Sequence, residues 1–159
     1  MRIIICSEIT NLSQFQSLPR LVKTITVKDN TCNTASTSPL VLNGFSVLTH
    51  ITIGRNSLKN IRWFTISSLP SLEVILIGSC SFSTICDGVP YVLITNSKLS
   101  IFDCPTLTTV FIGDYSFSQY SNFNLDNLPS LETMEIGKYS FYYITNFIIR
   151  GRNADIEVL

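Results

Sequence analysis

The chain has 159 residues, enough for one domain. It is 45% hydrophobic and only 14% charged, with eleven Lys and Arg against eleven Asp and Glu. This composition excludes a charged disordered tail, and no net field draws the chain to nucleic acid or anionic lipid.

From the N-terminus, Met1-Arg2-Ile3-Ile4-Ile5-Cys6 starts like a secretory leader, but the apolar run ends at Ser7-Glu8. That is too short for a leader's apolar segment, and no cleavage site follows. No stretch nears the ~18 apolar residues that cross a bilayer. Ile3 and Ile5 suggest a first strand, with Phe15 and Leu18-Pro19 leading into the next. Val22, Ile25 and Val27 then open a pattern, followed by Asn30 and Cys32. Leu40-x-Leu42 predicts a second short strand. Leu48-x-x-Ile51-x-Ile53-Gly54-x-x-Ser57-Leu58 repeats the pattern, and Phe64-x-Ile66 repeats its companion. The next copy runs Leu72-Glu73-Val74-Ile75-Leu76-Ile77-Gly78-Ser79-Cys80-Ser81-Phe82, with Leu99-x-Ile101 after it. Leu107 to Phe117 and Leu131 to Phe141 follow, each with its companion, Phe123-x-Leu125 and Phe147-x-Ile149.

The anchors Val22, Leu48, Leu72, Leu107 and Leu131 are 26, 24, 35 and 24 residues apart. The interval of 35 is one 24-residue period with 11 residues added. The surplus lies between Phe82 and Leu99, so we place an insertion near residues 83–93, where Asp87-Gly88 and Pro90 mark turns. An insertion that leaves the flanking period intact must loop outward. Each copy alternates with period 2 and is rich in Ile, Val and Thr, which reads as a strand with one buried face. Gly54, Gly78, Gly113 and Gly137 are expected to turn the chain at positive φ, which glycine adopts freely. Two short strands per coil, stacked coil on coil, make a mostly β, right-handed solenoid with two parallel strand ladders and little or no helix. Residues 1–159 are expected to form one such solenoid of about six coils. Its last residues, Ile156-Glu157-Val158-Leu159, carry no polar cap, which predicts a piece of a longer array, a degenerate paralogue or a rod that self-associates.

The pattern L-x-x-I-x-I-x-x-(N/C/Y)-x-(F/L) resembles the leucine-rich repeat consensus. The resemblance covers roughly Val22 to Ile149 in five copies, with partial coils at both ends. It implies that Asn30 and Asn56 occupy an asparagine-ladder position, where the side-chain amide bonds to neighbouring backbone. Cys80 is a familiar substitute there, whereas Tyr115 and Tyr139 depart from the family. The Ile-Gly-x-x-Ser-Phe signature is similar to the irregular, aromatic-rich repeats of bacterial and protist surface and multigene proteins. The family implies protein–protein recognition, usually on a strand face.

Residues between the buried strand positions must point outward. Three columns follow: Thr26, Thr52, Leu76, Phe111, Glu135; then Thr24, His50, Val74, Thr109, Thr133; then Lys23, Thr49, Glu73, Thr108, Glu132. Leu76, Val74 and Phe111 form an apolar patch rimmed by Thr52, Thr109 and Glu135, the candidate partner-binding residues. The partner is another protein, or a second copy met through the uncapped ends. Residues 1–62 carry net charge +5 and residues 63–138 net −5, a polarity that would favour head-to-tail contact. No phosphate-loop, dinucleotide, zinc or calcium motif is present, so no catalytic residue, cofactor or metal is expected. A glycan-active enzyme on a β-solenoid would need clustered carboxylates, and Glu132 with Glu135 is the close pair on offer. His50, the single histidine, shares no short motif with a nucleophile or carboxylate and reads as a surface residue. Trp63, beside the inward Phe64, should point outward. Cys6, Cys32, Cys80, Cys86 and Cys104 are odd in number and form no CxxC pair. They are expected as small buried hydrophobes in a reducing compartment, which favours the cytoplasm, with pairing of Cys80 to Cys86 left open.

Overall fold

The computed structural model of the chain describes residues 2–5, 15, 17–33, 39–88, 92–151 and 157–158, the first and last of these segments by backbone alone. Its elements are strands: β1 (Arg2–Ile5), β2 (Thr24–Val27), β3 (Leu40–Asn43), β4 (His50–Ile53), β5 (Trp63–Ser67), β6 (Val74–Ile77), β7 (Ile94–Phe102), β8 (Thr109–Ile112), β9 (Tyr120–Asp126), β10 (Thr133–Ile136), β11 (Asn146–Arg150) and β12 (Glu157–Val158). They alternate between two parallel sheets, ordered β1-β2-β4-β6-β8-β10-β12 and β3-β5-β7-β9-β11. The protein is therefore a β-solenoid. Five coils contribute a strand to each sheet, and β1 and β12 extend the first sheet at its two ends.

The expected register is observed. Ile51 pairs with Ile75, Ile75 with Val110, and Val110 with Met134. In the second sheet Leu40, Phe64, Leu99, Phe123 and Phe147 form one row. Alternate residues of β2 to β10 turn inward, so the two sheets enclose a single apolar core from Phe15 to Phe141. A lone coil would leave that core wet, so each coil owes its stability to its neighbours. Aromatic rings lengthen the stack: Phe82, Phe117 and Phe141 lie face to face with centroids 4.5 and 5.1 Å apart.

The glycines act differently from the expectation. Gly54, Gly78, Gly113 and Gly137 are absent from the positive-φ residues, where the glycines are Gly44, Gly88 and Gly151. What demands glycine in this column is close approach. A Cβ on Gly54 would lie 2.5 Å from the Asp29 nitrogen, one on Gly78 2.7 Å from that of Arg55, and one on Gly113 2.5 Å from that of Ser79. The turn itself is made by two left-handed residues per coil: Asn30 and Cys32, Asn56 and Leu58, Cys80 and Phe82, Tyr115 and Phe117, Tyr139 and Phe141. Positive φ costs a side-chain-bearing residue about 1 kcal/mol or more. In return it aims successive N–H groups along the rod in opposite directions. Asn56 N–H donates to Ser79 of the following coil at 2.9 Å, and Leu58 N–H donates to Thr31 of the preceding coil at 3.2 Å. The parallel ladder thus continues around the corner.

Between the last four left-handed pairs sits a Ser, buried at Ser57, Ser81 and Ser116 and half-buried at Ser140, with Thr31 in the first, and these serines form the internal polar ladder. The hydroxyls of Ser57, Ser81, Ser116 and Ser140 donate to the carbonyls of Lys28, Gly54, Gly78 and Gly113 in the preceding coil at 2.7–2.8 Å. The same oxygens accept backbone N–H groups: Ser57 Oγ from Thr31, Ser81 Oγ from Ser57 and Ser116 Oγ from Ser81, at 3.2–3.4 Å. At the asparagine-ladder position the side chains meet one another along the rod, exposed at Asn30 and Tyr139 and buried at Cys80. Asn56 Nδ2 donates to Asn30 Oδ1 at 2.6 Å, and further along Tyr115 and Tyr139 stack at 5.0 Å.

The cysteines also depart from the expectation. Cys80 and Cys86 are joined by a disulfide, with Cα atoms 5.0 Å apart, where the chain beyond Phe82 folds back on the turn. Cys32 is disulfide-bonded as well, and among the described residues Cys104 is the free, buried cysteine. Cys6 lies outside the described residues. In the inserted stretch, Thr84, Asp87, Gly88 and Val92 are exposed. Gln119, itself buried, holds both arms of the stretch: its Oε1 accepts from Thr84 N–H (3.1 Å) and Oγ1 (2.6 Å), and its Nε2 donates to the Val92 carbonyl (3.2 Å). Residues 89–91 lie outside the described set, as do the leading residues around Ser7-Glu8 and the trailing Ile156 and Leu159.

Candidate protein-interaction face

The first sheet presents its outer face as flat columns, because its strands pair in strict parallel register. Thr26, Thr52, Leu76, Phe111 and Glu135 are successive partners, and so are Thr24, His50, Val74, Thr109 and Thr133. All six candidate residues, Thr52, Val74, Leu76, Thr109, Phe111 and Glu135, therefore share one face. Strands lie about 4.8 Å apart in such a ladder, and Leu76 and Phe111 are register partners on adjacent rungs. They are 39% and 40% exposed, far above their in-facing neighbours Ile75, Ile77, Val110 and Ile112, none of which exceeds 0%. Val74, Thr52 and Thr109 are half-buried around them, and Glu135 is exposed.

The edge of this face is stiff. Thr49 and Thr108 precede β4 and β8, and their hydroxyls donate to the carbonyls of Lys23 and Glu73 at 3.0 and 3.1 Å. His50 Nδ1 lies 2.8 Å from Thr49 Oγ1. Since that hydroxyl gives its proton to Lys23, its oxygen receives one from Nδ1–H, which fixes the ring at the rim of the patch. Glu132 and Glu135 are exposed at the far end of the same sheet. Among the described residues no group of three His, Cys, Asp or Glu could hold a metal ion. Trp63 does point outward, 38% exposed, but on the second sheet, where its rung partner is Lys98.

Three further features lie outside this face. One is a polar groove of about 360 Å³ lined by Asp29, Asn30, Arg55, Asn56, Cys80 and Cys86. Another is the tyrosine corner, in which Tyr142 meets both Tyr139 and Tyr143. The 24-residue interval between Tyr115 and Tyr139 signalled its start. The third is the open end of the second sheet, where Phe147, Ile148 and Ile149 are 46%, 37% and 44% exposed. No protein-family model, curated protein or solved structure matches the chain.

Proposed function

We propose that this solenoid is a non-catalytic protein-interaction module that engages its partner through the outer face of the seven-stranded sheet. The observation that carries the reading is the adjacent pair Leu76 and Phe111, register partners on the outer face of the sheet and 39% and 40% exposed. A rigid apolar centre with a polar rim of Thr52, Thr109 and Glu135 is the anatomy of a contact patch. We read the coils as irregular relatives of the leucine-rich repeats. The L-x-x-I-x-I rungs and the 24-residue period support that kinship; the buried serine column, standing in for an asparagine ladder, sets this chain apart within it.

Affinity capture with the purified protein, beside the double variant Leu76→Ser/Phe111→Ser, tests the reading. The variant keeps its circular dichroism spectrum, because both side chains project from the fold, and loses at least tenfold in partner retention. Equal retention by a folded variant removes the face from consideration. Sedimentation that rises steadily with concentration and is unaffected by the substitutions replaces the reading with a structural, self-stacking role.

A further inference from the structure

The two sheets carry matching columns on their outer faces. On the first, Leu76, Phe111 and Glu135 are register partners on three successive rungs. On the second, Trp63 and Lys98 are register partners. Pro39 stands one residue before Leu40, just as Trp63 stands one before Phe64, the register partner of Leu40. Pro39, Trp63 and Lys98 therefore occupy three successive rungs as well. All six residues are exposed. Followed in the same direction along the rod, one column runs apolar, aromatic, carboxylate, and the other apolar, aromatic, ammonium. Rungs are about 4.8 Å apart in both sheets, so the columns match position for position.

The surroundings of each column carry the same sign as its charged member. Along β6, β8 and β10 the first sheet adds Glu73 and Glu132, both exposed, and residues 72–76, 107–111 and 131–135 include no Lys or Arg. Beside Trp63 the second sheet adds Arg62, also exposed. The carboxylates nearest to this part of the sheet in sequence, Asp103 and Asp126, stand at the opposite ends of β7 and β9. Because the two sheets enclose the core between them, the two faces look in opposite directions. One rod cannot bring its own columns together, whereas two rods can.

Building on the reading of the Leu76/Phe111 face as a contact surface, we propose that its occupant is the second-sheet face of another copy of this chain. The rods lie side by side, front to back and in the same direction, staggered by two coils. Pro39 then meets Leu76, Trp63 meets Phe111 and Lys98 meets Glu135. The apolar contacts fill the centre, and the charges draw the faces together and set the direction. A reversed rod would press Lys98 onto Leu76 and leave Glu135 opposite Pro39, two charges desolvated without partners. Each copy uses one face for one neighbour and the other face for the next. Such a contact is heterologous, and with rods in the same direction it does not close, so the product is an open, staggered stack.

Trp63 is the single tryptophan of the chain, so its fluorescence reads the contact directly. As the concentration of the full chain rises, Trp63 emission is expected to move to the blue in step with a rising sedimentation coefficient. Glu135→Lys and Lys98→Glu, made separately and checked for native circular dichroism, are each expected to need at least tenfold more protein for the same shift. The double variant Glu135→Lys/Lys98→Glu re-forms the pair with its signs exchanged and is expected to recover most of that loss. Leu76→Ser/Phe111→Ser is expected to abolish both signals. Absence of association, association that neither single charge variant weakens, or a double variant no better than the single ones overturns the proposal. So does association that leaves Trp63 emission unmoved, which would place the contact elsewhere on the rod. Each of these failures is separable from failure of the broader reading. A foreign protein retained by the parent and lost by Leu76→Ser/Phe111→Ser keeps the face as a contact surface with a different occupant.

Discussion

The hydroxyl of Tyr120 donates to the carbonyl of Ile61 at 2.6 Å, across two coils of the rod. Ile61, Ile85, Tyr120 and Ile144 occupy one column, each three residues after the second left-handed residue of its turn. The insertion draws Ile85 outward to partial exposure, and Tyr120, fully buried, reaches through the space to the coil beyond. Its ring packs edge-on against Phe117. Tyr120→Phe should lower stability by about 1–3 kcal/mol, since it leaves the Ile61 carbonyl buried without its donor. Urea denaturation followed by circular dichroism measures this, and an unchanged midpoint would mean that the bond is not formed.

Close approach and turn conformation make opposite demands at two glycines. Gly113→Ala places a Cβ 2.5 Å from the Ser79 nitrogen, an atom of the neighbouring backbone that cannot move aside. Gly88 has φ of 85° and open space around it. Gly88→Ala should therefore cost about 1 kcal/mol of conformational strain, and Gly113→Ala clearly more, in the range of about 1–3 kcal/mol or beyond for overpacking. Thermal melts of the two variants rank them, and a larger loss at Gly88 would restore the turn explanation for the glycine column.

Ser81 connects three coils through one side chain and its own amide. Its hydroxyl donates to Gly54 and accepts from Ser57, and its N–H donates to Ser116 Oγ. Ser81→Ala strands the part-buried Gly54 carbonyl and the buried Ser57 N–H, the latter at about 1–3 kcal/mol before relaxation. Ser71→Ala breaks only an exposed bond to the Ser46 carbonyl and should stay within about 0.5 kcal/mol of the parent. Equal losses in urea denaturation would show that the serine column is ornamental to stability.

Burial pushes the Cys104 thiol from 9.0 up to about 11, with the Asp103 carboxylate adding to the rise and a backbone hydrogen bond at Leu69 opposing it. Burial also holds the Tyr120 phenol well above its ordinary 10.0. In the unfolded chain the thiol ionises near pH 9 while the folded state keeps its proton. The folded state therefore binds more protons between about pH 9 and 11, and stability falls as pH rises through that window. Below it the contribution is fully present. A two-unit shift corresponds to roughly 2–3 kcal/mol at most. Urea midpoints from pH 7 to 11 should decline above pH 9, and Cys104→Ala, though less stable throughout, should decline less steeply.

The rungs were legible because a 24-residue period leaves one reading for which residue lies over which: Leu48 over Leu72, Ile51 over Ile75. The outward columns came with them, since a strand that buries Ile75 and Ile77 must expose Leu76. The glycine column was misread because one letter serves two physical needs. A residue without a Cβ both tolerates positive φ and admits a close neighbour, and only the stacked coils reveal which applies at Gly113. Positive φ at Leu58 and Phe82 carried no signal at all, since bulky residues there are paid for by bonds to other coils. The Cys80–Cys86 link stood in the sequence only as an open alternative, because the odd cysteine count pointed away from a disulfide framework. Tyr120 was invisible because its partner lies 59 positions away and is set by where the insertion leaves the stack.

Because the serine hydroxyls, the glycine contacts and the ring stack all repeat in step, a coil is a cassette. Removing residues 114–137 would splice Gly113 to Lys138 and restore the run Phe111-Ile112-Gly113-Lys138-Tyr139-Ser140-Phe141, with every column still in phase. The product is the same rod, shorter by about 4.8 Å. A gene of this kind can lengthen or shorten by 72 nucleotides at a stroke, roughly one coil of 24 codons, and each change yields a chain whose packing is already solved.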